Sequence, residues 1–263
     1  MSNMEILTTN YLDTTTLVSV ESGTDTVDRL FNRDTYNNYY ESSGYNTNTA
    51  GVTIGVTFIS TRNISRIILQ GINLKDFTIY YNSNSANTFT LLNAETTTSD
   101  WTGNSDTALY LKFATISVDS VWIVATQTTS EGLEKRISQL WIDDVKFVFE
   151  NNPDFKGYDP DIEIKEVSHE MSDGGTIKYA FGEAYNANIK LENQSKTMHD
   201  NFYGIFRTRQ SFVFVPFPTG TSWDGEKIYE VNWIGDFGFE KPAGNNWAAL
   251  GYSGDFKIKE VPK

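Results

Sequence analysis

Residues 28–44 read Asp-Arg-Leu-Phe-Asn-Arg-Asp-Thr-Tyr-Asn-Asn-Tyr-Tyr-Glu-Ser-Ser-Gly, and this segment carries the strongest fold signal in the chain. Leu30 and Phe31 form an apolar anchor, and a polar loop with three tyrosines follows them. The flanking segments have the composition of strands, so the pattern is typical of a β-sandwich with a loop at one end. Tyrosines in such a loop favour a surface that binds over a site that carries out a reaction.

Composition outside this segment favours the same fold class. The 263 residues are enough for two domains, each with its own core. Aromatic residues make up 14% of the chain, and their bulk packs well on pleated sheets. Asn, Thr and Ser recur in the first hundred residues, as short loops between strands require. We therefore predict a mainly β protein.

Charge and cysteine content exclude several classes of function. The formal net charge of −13 disfavours nucleic acid as a partner, because phosphate contacts rely on clustered Lys and Arg. No run approaches the roughly 18 apolar residues of a membrane helix, so we expect no membrane insertion. The start, Met1–Glu5, lacks the pattern of a signal peptide, which predicts assembly in a cytoplasm. The absence of cysteine excludes disulfides and thiolate chemistry.

The region 1–150 is predicted to form a jelly-roll-like β-sandwich. Apolar residues occupy every second position of one segment, which predicts a strand with one buried face; they are Val52, Ile54, Val56 and Phe58. Further strand candidates recur at the spacing of a sandwich, at 64–70, 77–81, 109–113, 120–126 and 137–149. Val121–Ala125 is apolar throughout and predicts a central strand buried on both faces. Residues 151–161, with two prolines and a glycine, are predicted to be a linker between domains.

Residues 162–263 are predicted to form a second β-sandwich or sheet domain with one packed α-helix at about 195–207. The helix prediction rests on an apolar stripe with helical spacing, formed by Met198, Phe202, Ile205 and Phe206. Ser195 is a suitable N-cap, and Arg207 and Arg209 suit the helix C-terminus. The Asp173-Gly174-Gly175 triplet lies between two predicted strands and indicates a hairpin turn.

No pattern of residues indicates catalysis, and we predict that the protein is not an enzyme. His169 and His199 are the only histidines, and neither lies in a triad or metal-site pattern. We expect His169 to be half-buried in a strand and His199 to be solvated on the helix. Adjacent Asp143 and Asp144 would point to opposite faces of a strand, which suits glycoside hydrolysis poorly. Asp224 and Glu226 flank an apparent turn.

Calcium is the one metal ion for which the sequence offers a candidate. The tight loop that contains Asp34 can supply backbone carbonyls and a carboxylate, which are the ligands that Ca²⁺ takes in proteins. Carboxylate oxygens are also available in the predicted linker, from Asp154, Asp159 and Asp161. These residues lack the spacing of a calcium loop, and we interpret them as solvated linker acids. No other cofactor is expected.

The first half resembles the galactose-binding-like β-sandwich of the discoidin, or coagulation-factor C-terminal, type. Five segments carry the resemblance in the family's order: Asp28–Gly44, Val52–Phe58, Ile64–Leu69, Lys75–Tyr81 and Ile137–Ile142. The resemblance implies a jelly-roll-like sandwich whose end loops bind carbohydrates or lipid headgroups. It covers about the first 150 residues.

This resemblance also implies candidate site residues. The aromatic side chains that could stack on sugars are Tyr36, Tyr39, Tyr40, Tyr45 and Trp101; packing within the sandwich or a protein interface is the alternative for each. Family members with a structural calcium often carry Glu in the final strand and Asp in the early loop. This chain has Gln139 and Asn32 at those positions, which weakens the calcium prediction.

The second half resembles tail proteins of bacteriophages, especially the distal tail and tail-tube group, whose subunits form rings. The segments that carry this resemblance are Met171–Gly175, Ile189–Phe206, Phe212–Pro218 and Ile228–Phe237. It implies a structural virion component of a phage tail or baseplate, assembled in the host bacterial cytoplasm. The partners would be further copies in a homo-oligomeric ring, other tail or baseplate proteins, and host-surface glycans bound by the first domain.

Two alternatives accompany this functional prediction. The first is a carbohydrate-binding host-adhesion protein, for which sugar contact is the main task. The second is a polysaccharide hydrolase that uses dispersed carboxylates such as Asp143 and Asp224.

Overall fold

The structure is a computed structural model that describes residues 3–8, 10–13, 17–31, 39–83, 90–92, 100–153, 156–171, 175–216, 218, 228–240 and 251–261. Within these residues the chain is mainly β, with antiparallel sheets and one α-helix, which confirms the predicted fold class. In chain order the strands and the helix are β1 (Glu5–Leu7), β2 (Leu17–Val20), β3 (Tyr40–Glu41), β4 (Val52–Gln70), β5 (Leu74–Asn82), β6 (Thr90–Leu91), β7 (Asp100–Trp101), β8 (Ala108–Thr128), β9 (Arg136–Ile137), β10 (Gln139–Asp143), β11 (Phe147–Val148), β12 (Tyr158–Glu170), β13 (Thr176–Gln194), α1 (Lys196–Thr208), β14 (Phe212–Val215), β15 (Tyr229–Ile234) and β16 (Tyr252–Glu260). Short 3₁₀ helices span Tyr11–Asp13 and Thr24–Leu30.

The first sheet is built around two long strands, β4 and β8. Its order is β10-β4-β8-β5-β6, with β2 alongside β4 and β7 alongside β5. The sequence predicts two strands at 52–58 and 64–70, but the structure joins them in β4; it likewise joins 109–113 and 120–126 in β8. Shifts of register between Thr57 and Arg62 and between Ile64 and Arg66 separate the two halves of the β4–β8 pairing. Bulges of this kind let one long strand bend around a core.

Alternation along β4 gives the predicted buried face, whereas β8 differs from its prediction. Val52, Ile54 and Val56 are fully buried in the sandwich core. In β8, Val121 and Ile123 are buried, but Trp122 between them is half-buried on the other face. The prediction that Val121–Ala125 is buried on both faces is therefore wrong, although the strand is central in its sheet. The indole of Trp122 instead lies beside Gly55 of β4.

The second sheet contains strands from both ends of the chain. Its order is β11-β1-β14-β15-β16-β13-β12, so the N-terminal strand β1 lies between β11 and β14. Ile6 pairs with Phe147 on one side and with Phe214 on the other. The sandwich is therefore connected to the second sheet at both of its ends, through β1 and β11. The division into domains at 151–161 stays a prediction, but residues 5–7 and 147–148 pair with the second sheet, and β12 begins at Tyr158.

Helix α1 packs on one face of the second sheet, as its apolar stripe predicts. Ser195 accepts a hydrogen bond from the Met198 amide at 3.1 Å, which confirms the predicted N-cap. Met198, Phe202 and Ile205 are buried, and the Phe202 ring contacts Phe147 and Phe256 at centroid distances of 5.0 and 5.2 Å. Phe206 is only half-buried.

A buried charge cluster joins the sandwich to the second sheet. Arg66 of β4 donates two hydrogen bonds to the Glu5 carboxylate of β1, at 2.7 and 2.9 Å. The Tyr110 hydroxyl of β8 donates a third, and Lys112 Nζ lies 3.4 Å from the carboxylate. Apolar side chains from both sheets surround the cluster, including Ile68 and Val213.

These partners keep Glu5 ionised although it is fully buried. Burial by itself would raise the pKa of Glu5, but the hydrogen bonds and charge of Arg66, helped by Tyr110 and Lys112, outweigh it and lower the pKa. Burial opposes the charge of Arg66 too, and Glu5 and Tyr110 reverse that effect and raise the pKa of Arg66. Both partners are therefore charged at neutral pH.

We expect Glu5→Gln to lower the free energy of unfolding at pH 7 by about 3–5 kcal/mol, because the change leaves the Arg66 guanidinium buried without its counter-charge. The folded pKa of Glu5 lies below its ordinary value of 4.5. Its contribution to stability is therefore full above that value and is lost as the pH falls through the folded pKa. The difference in the free energy of unfolding between wild type and variant should therefore shrink as the pH falls through the folded pKa of Glu5. Urea unfolding from pH 3 to pH 7 measures it.

The matched control is Glu166→Gln, which removes an exposed carboxylate that lies 2.7 Å from Lys178 Nζ. Exposed ion pairs contribute little, so the control should change the free energy of unfolding by less than about 1 kcal/mol. Equal effects of the two substitutions at pH 7 would contradict the role given to Glu5.

Candidate functional site

Four loops meet at one end of the sandwich, and we call this region the loop end. It comprises residues 42–50, 71–74, 100–107 and 129–137. Asn73 lies at its centre: its side-chain amide donates to the Glu134 carbonyl at 2.8 Å and accepts from the Arg136 amide at 2.8 Å. Its backbone carbonyl accepts from the Thr129 amide at 2.8 Å. One side chain thus ties the 71–74 turn to the 129–137 segment.

Glu134 binds the 42–50 loop through that loop's donors. Its carboxylate accepts hydrogen bonds from the Ser42 hydroxyl at 2.8 Å and from the Gly44 and Tyr45 amides, both at 3.0 Å. Hydrogen bonds from two amides and a hydroxyl hold a carboxylate firmly at a loop. Glu134 therefore fixes the first half of this loop.

Lys135, the next residue, binds the same loop through its acceptors. The side chain is buried, and Nζ donates to the carbonyls of Tyr45, Thr47 and Ala50 at 2.6, 2.8 and 2.8 Å. Burial lowers the pKa of Lys135, and the charge of Glu134 acts in the opposite direction. Residues of opposite charge at consecutive positions thus bind the N–H groups and the carbonyls of one loop.

The structure separates two adjacent candidate tyrosines. Tyr39 is half-buried, and the Arg136 guanidinium lies 4.6 Å from its ring centroid while donating to Glu41 at 2.7 Å. Tyr40 is fully buried in the sandwich core, and its hydroxyl donates to the Ser22 carbonyl at 2.9 Å. The Tyr40 ring is thus a core element and is not presented at the surface, because successive strand residues point to opposite sides.

Tyr45 is held at the loop end by its backbone. Its amide donates to Glu134 and its carbonyl accepts from Lys135. The half-buried ring packs against the sandwich core. Tyr45 therefore contributes mainly to the position of the loop.

Trp101 has the geometry of a stacking platform. Its indole lies parallel to the buried Phe77 ring, at a centroid distance of 4.7 Å and an interplanar angle of 7°. Trp101 is itself half-buried on the short strand β7. Next to it, Asp100 accepts from the Thr78 hydroxyl at 2.9 Å, and Asp76 accepts from the Gly103 amide at 2.7 Å. One indole face is supported by the core, whereas Asp100 points with Thr78 to the opposite face of the sheet.

The calcium prediction concerns some residues that the structure describes and some that it does not. Tyr36, Asn32 and Asp34 lie outside the described residues, so the Asp34 loop stays a prediction. Gln139 is buried in β10, where its neutral amide supplies no charge to balance a divalent ion. No group of three or more His, Asp or Glu side chains within the described ranges could hold a metal ion. The carbonyls of the 42–50 loop already bind Lys135, so this described part does not fit Ca²⁺.

Among the described residues, the candidate histidines lie apart, on β12 and on α1. His169 is exposed, not half-buried as predicted, because β12 extends beyond the body of the sheet. His199 is partly covered rather than solvated, since its ring stacks on Tyr252 at 4.2 Å. Asp144 accepts a hydrogen bond from Ser65, and its own amide donates to Asp143 at 2.8 Å. Asp224 and Glu226 lie outside the described residues.

A second surface feature is a β-hairpin that projects from the second sheet. It consists of residues 161–171, which are the end of β12 and Met171, and residues 175–183, which are Gly175 and the start of β13. We call this hairpin the arm. Antiparallel pairing from Ile164–Glu183 to Glu170–Thr176 confirms the predicted hairpin. Every side chain described in the arm is exposed. Among the described residues, β16 pairs with β13 only from Asn186 onward, so the arm is a two-stranded ribbon.

Both faces of the arm carry exposed apolar side chains. Val167 lies opposite Tyr179, and these side chains are 44% and 57% exposed. Ile177 and Met171 continue the same face. Ile162 and Ile164 lie on the other face and are 60% and 57% exposed. A two-stranded ribbon is marginally stable in water, and such apolar exposure marks an interaction surface.

No helix in the described part of the chain is long and apolar enough to cross a membrane. No family model and no curated protein matches the sequence.

Similar solved structures include carbohydrate-binding modules. A chitosan-binding module of a chitosanase/glucanase from Paenibacillus sp. IK-5 has a TM-score of 0.41 and 13% identity, with 51% of this chain and 98% of that module covered. A family 32 carbohydrate-binding module of C. perfringens NanJ in complex with galactose has a TM-score of 0.40 and 15% identity, with 53% and 98% covered. A GH29 fucosidase of Ruminococcus gnavus in complex with fucose has a TM-score of 0.42 and 14% identity; the match covers 52% of this chain and 27% of the fucosidase.

Similarity at this level assigns neither a ligand nor an activity to this chain. The tail-protein part of the sequence prediction gains no support from these comparisons and stays a prediction. The prediction that the protein is not an enzyme also stays a prediction.

We expect Asn73→Ala to lower the free energy of unfolding by about 1–3 kcal/mol, since two backbone groups of the 129–137 segment lose their partner. Hydrogen exchange at the Arg136 amide should become faster, because Asn73 accepts its hydrogen bond. Thr102→Ala, at an exposed position of the same loop end, is the control and should stay within about 0.5 kcal/mol of wild type. Unchanged exchange at Arg136 in the Asn73 variant would contradict the bridging role.

Proposed function

We propose that the protein is a non-enzymatic carbohydrate-binding subunit whose sugar site is at the loop end, with Trp101 as its platform. The observation that carries the proposal is the parallel stacking of Trp101 on Phe77. A saccharide ring presents C–H groups on one face, and these pack on the electron-rich face of an indole. An indole that is already held flat by the core loses little conformational freedom when a ligand stacks on it.

Polar residues adjacent to Trp101 in the sequence and in the loop that follows it support the same function. Asp100 and Thr102 flank Trp101 in the sequence and are exposed, and Asp76 is half-buried and accepts from the Gly103 amide. Sugar hydroxyls need hydrogen-bonding partners around an apolar contact, and carboxylates are strong acceptors for them. The loop that follows Trp101 is held by Asp76, which accepts from the Gly103 amide at 2.7 Å, and by Asn104, whose side chain donates to the Leu74 carbonyl at 2.7 Å. The loop is therefore in place before a ligand arrives.

The arm favours a second function for the same chain, which is assembly of several copies. A ribbon with apolar side chains on both faces gains stability when another chain covers it. A second copy is the occupant we propose. If each copy binds the next head-to-tail and the rotation between copies closes, the assembly is a ring. In this proposal the chain is a structural virion component of a phage tail or baseplate that displays the sandwich.

We expect Trp101→Ala to weaken sugar binding by roughly tenfold or more, as truncation of a buried aromatic contact does at other binding sites. A glycan array followed by calorimetry measures the effect, with galactose, fucose and chitosan oligosaccharides among the probes. Trp101→Phe keeps a ring over Phe77 and should retain part of the affinity. Tyr203→Ala is the control: it removes an aromatic side chain of α1 that is 43% exposed, and it should leave the sugar affinity unchanged.

A wild-type protein that binds no glycan on the array would overturn the sugar-binding proposal. So would equal affinity of the Trp101→Ala and Tyr203→Ala variants, because the contact would then lie elsewhere.

We expect wild-type protein to form oligomers and the double variant Val167→Lys/Tyr179→Lys to be monomeric, because two charges on the apolar face of the arm would have to be desolvated in the contact. Sedimentation velocity over a concentration series, with electron microscopy of the same samples, measures the assembly. Ile59→Lys is the control: Ile59 is 70% exposed, but it belongs to the sandwich, so this variant should still assemble.

A wild-type chain that stays monomeric at tens of micromolar would contradict assembly through the arm. Oligomers that persist in the double arm variant would show that another surface is responsible.

A further inference from the structure

The Lys135 ammonium satisfies every one of its donors on backbone carbonyls of a single loop. An ammonium has three N–H groups, and the three carbonyls of Tyr45, Thr47 and Ala50 accept them at 2.6–2.8 Å. The Lys135 side chain has no solvent exposure. A buried charge is tolerated only when it is paired and fully hydrogen-bonded, and this arrangement meets that condition.

The carbonyls point inward because of the ammonium, and backbone oxygens gathered in this way are a cation site. Backbone carbonyls are among the oxygen ligands that Ca²⁺ takes in protein loops. Without a positive charge among them, the three oxygens would lose their partners and their dipoles would repel one another. The Glu134 carboxylate, which binds the amides of Gly44 and Tyr45, adds negative charge to the same loop.

We infer that Lys135 is the built-in cation of the loop end: its ammonium fills a carbonyl site that would otherwise need a metal ion, and it orders residues 45–50 without one. The loop end is then independent of calcium. Removal of the ammonium leaves a cation site lined by three carbonyls, with Glu134 nearby, that accepts a hard cation such as Ca²⁺. This inference concerns the order of the loop, so it holds whether or not the loop end binds sugar.

The first test uses the wild-type chain. The hydrogen exchange of the Gly44 and Tyr45 amides should be the same in EDTA and in millimolar CaCl₂. In NMR spectra of ¹⁵N-labelled protein, the Lys135 ammonium should exchange slowly with water, because its three donors are bound and buried. Faster exchange of these two amides in EDTA would overturn the inference, since a metal ion would then order the loop.

The second test compares two variants of the full chain. In EDTA, Lys135→Ala should lower the thermal midpoint by about 5 °C or more and speed amide exchange at Tyr45, because three carbonyls lose their charged donor. Millimolar CaCl₂ should restore at least half of both losses. Lys135→Met fills the volume of the lysine stem without a charge, so it should be destabilised as well but should not respond to CaCl₂.

Each outcome of the variant test either supports or overturns the inference. Recovery of Lys135→Ala but not of Lys135→Met by CaCl₂ supports a cation site in the loop. No effect of Lys135→Ala in EDTA, no recovery with CaCl₂, or equal recovery of both variants overturns it. If Lys135→Ala does not fold, the wild-type measurements still decide the question, because they need no variant. Glycan binding by the wild type is measured separately, so a failed sugar proposal and a failed cation inference give different results.

Discussion

The carboxylate of Glu5 is the point on which the arrangement of the two sheets depends. It lies on a strand of three residues in the second sheet, yet its charge is balanced by Arg66 of the sandwich. An unpaired carboxylate in this position would cost several kcal/mol of desolvation, so the two sheets keep their ion pair only while they stay packed. Because the Tyr110 hydroxyl binds the same carboxylate, β1, β4 and β8 meet at one polar point inside an apolar interface.

This contact has consequences for the whole chain. The chain leaves the second sheet after β1, forms the sandwich, and returns to the second sheet at β11, which pairs with β1. The ends of the sandwich are therefore adjacent strands of another sheet. The Lys146 amide donates to the Ile6 carbonyl and the Phe149 amide to the Met4 carbonyl, each at 2.9 Å, which closes the connection on both sides of the pairing. A sandwich attached at two neighbouring points, with a buried ion pair between them, has little freedom to swing on a linker.

The sequence predicts well what depends on local periodicity and poorly what depends on distant partners. The stripe of α1 and the alternation of Val52, Ile54 and Val56 follow from helical and strand periods, and both are confirmed. Strand β1 is too short for a period, and its partners lie about 140 and 210 residues away. The alternation of side chains along a strand could have predicted that Tyr39 and Tyr40 differ in burial, because only one of two neighbouring residues can face the core.

The main residues of the loop end leave even less trace in the sequence. Glu134 and Lys135 look like a solvated pair of opposite charges, and nothing local shows that their partners are the backbone of residues 42–50. Trp101 stands out by type, but its support comes from Phe77 in another strand. The sequence therefore indicates which aromatic residues are available, whereas the contacts that make one of them a platform arise only in the folded chain.

The two proposed functions support each other physically. The proposed Trp101 site offers a single supported ring, so one copy would bind a sugar weakly, as fits a small apolar contact. Copies joined through the arm would present several such sites at fixed spacing, and linked sites can raise the overall affinity by about 10²–10⁴ without any new contact. That gain requires each site to be rigid relative to the ring, because freedom of the sandwich would lower the effective concentration of the next site. The buried Glu5–Arg66 pair supplies this rigidity between the sheets, and Glu134 and Lys135 supply it within the loop end.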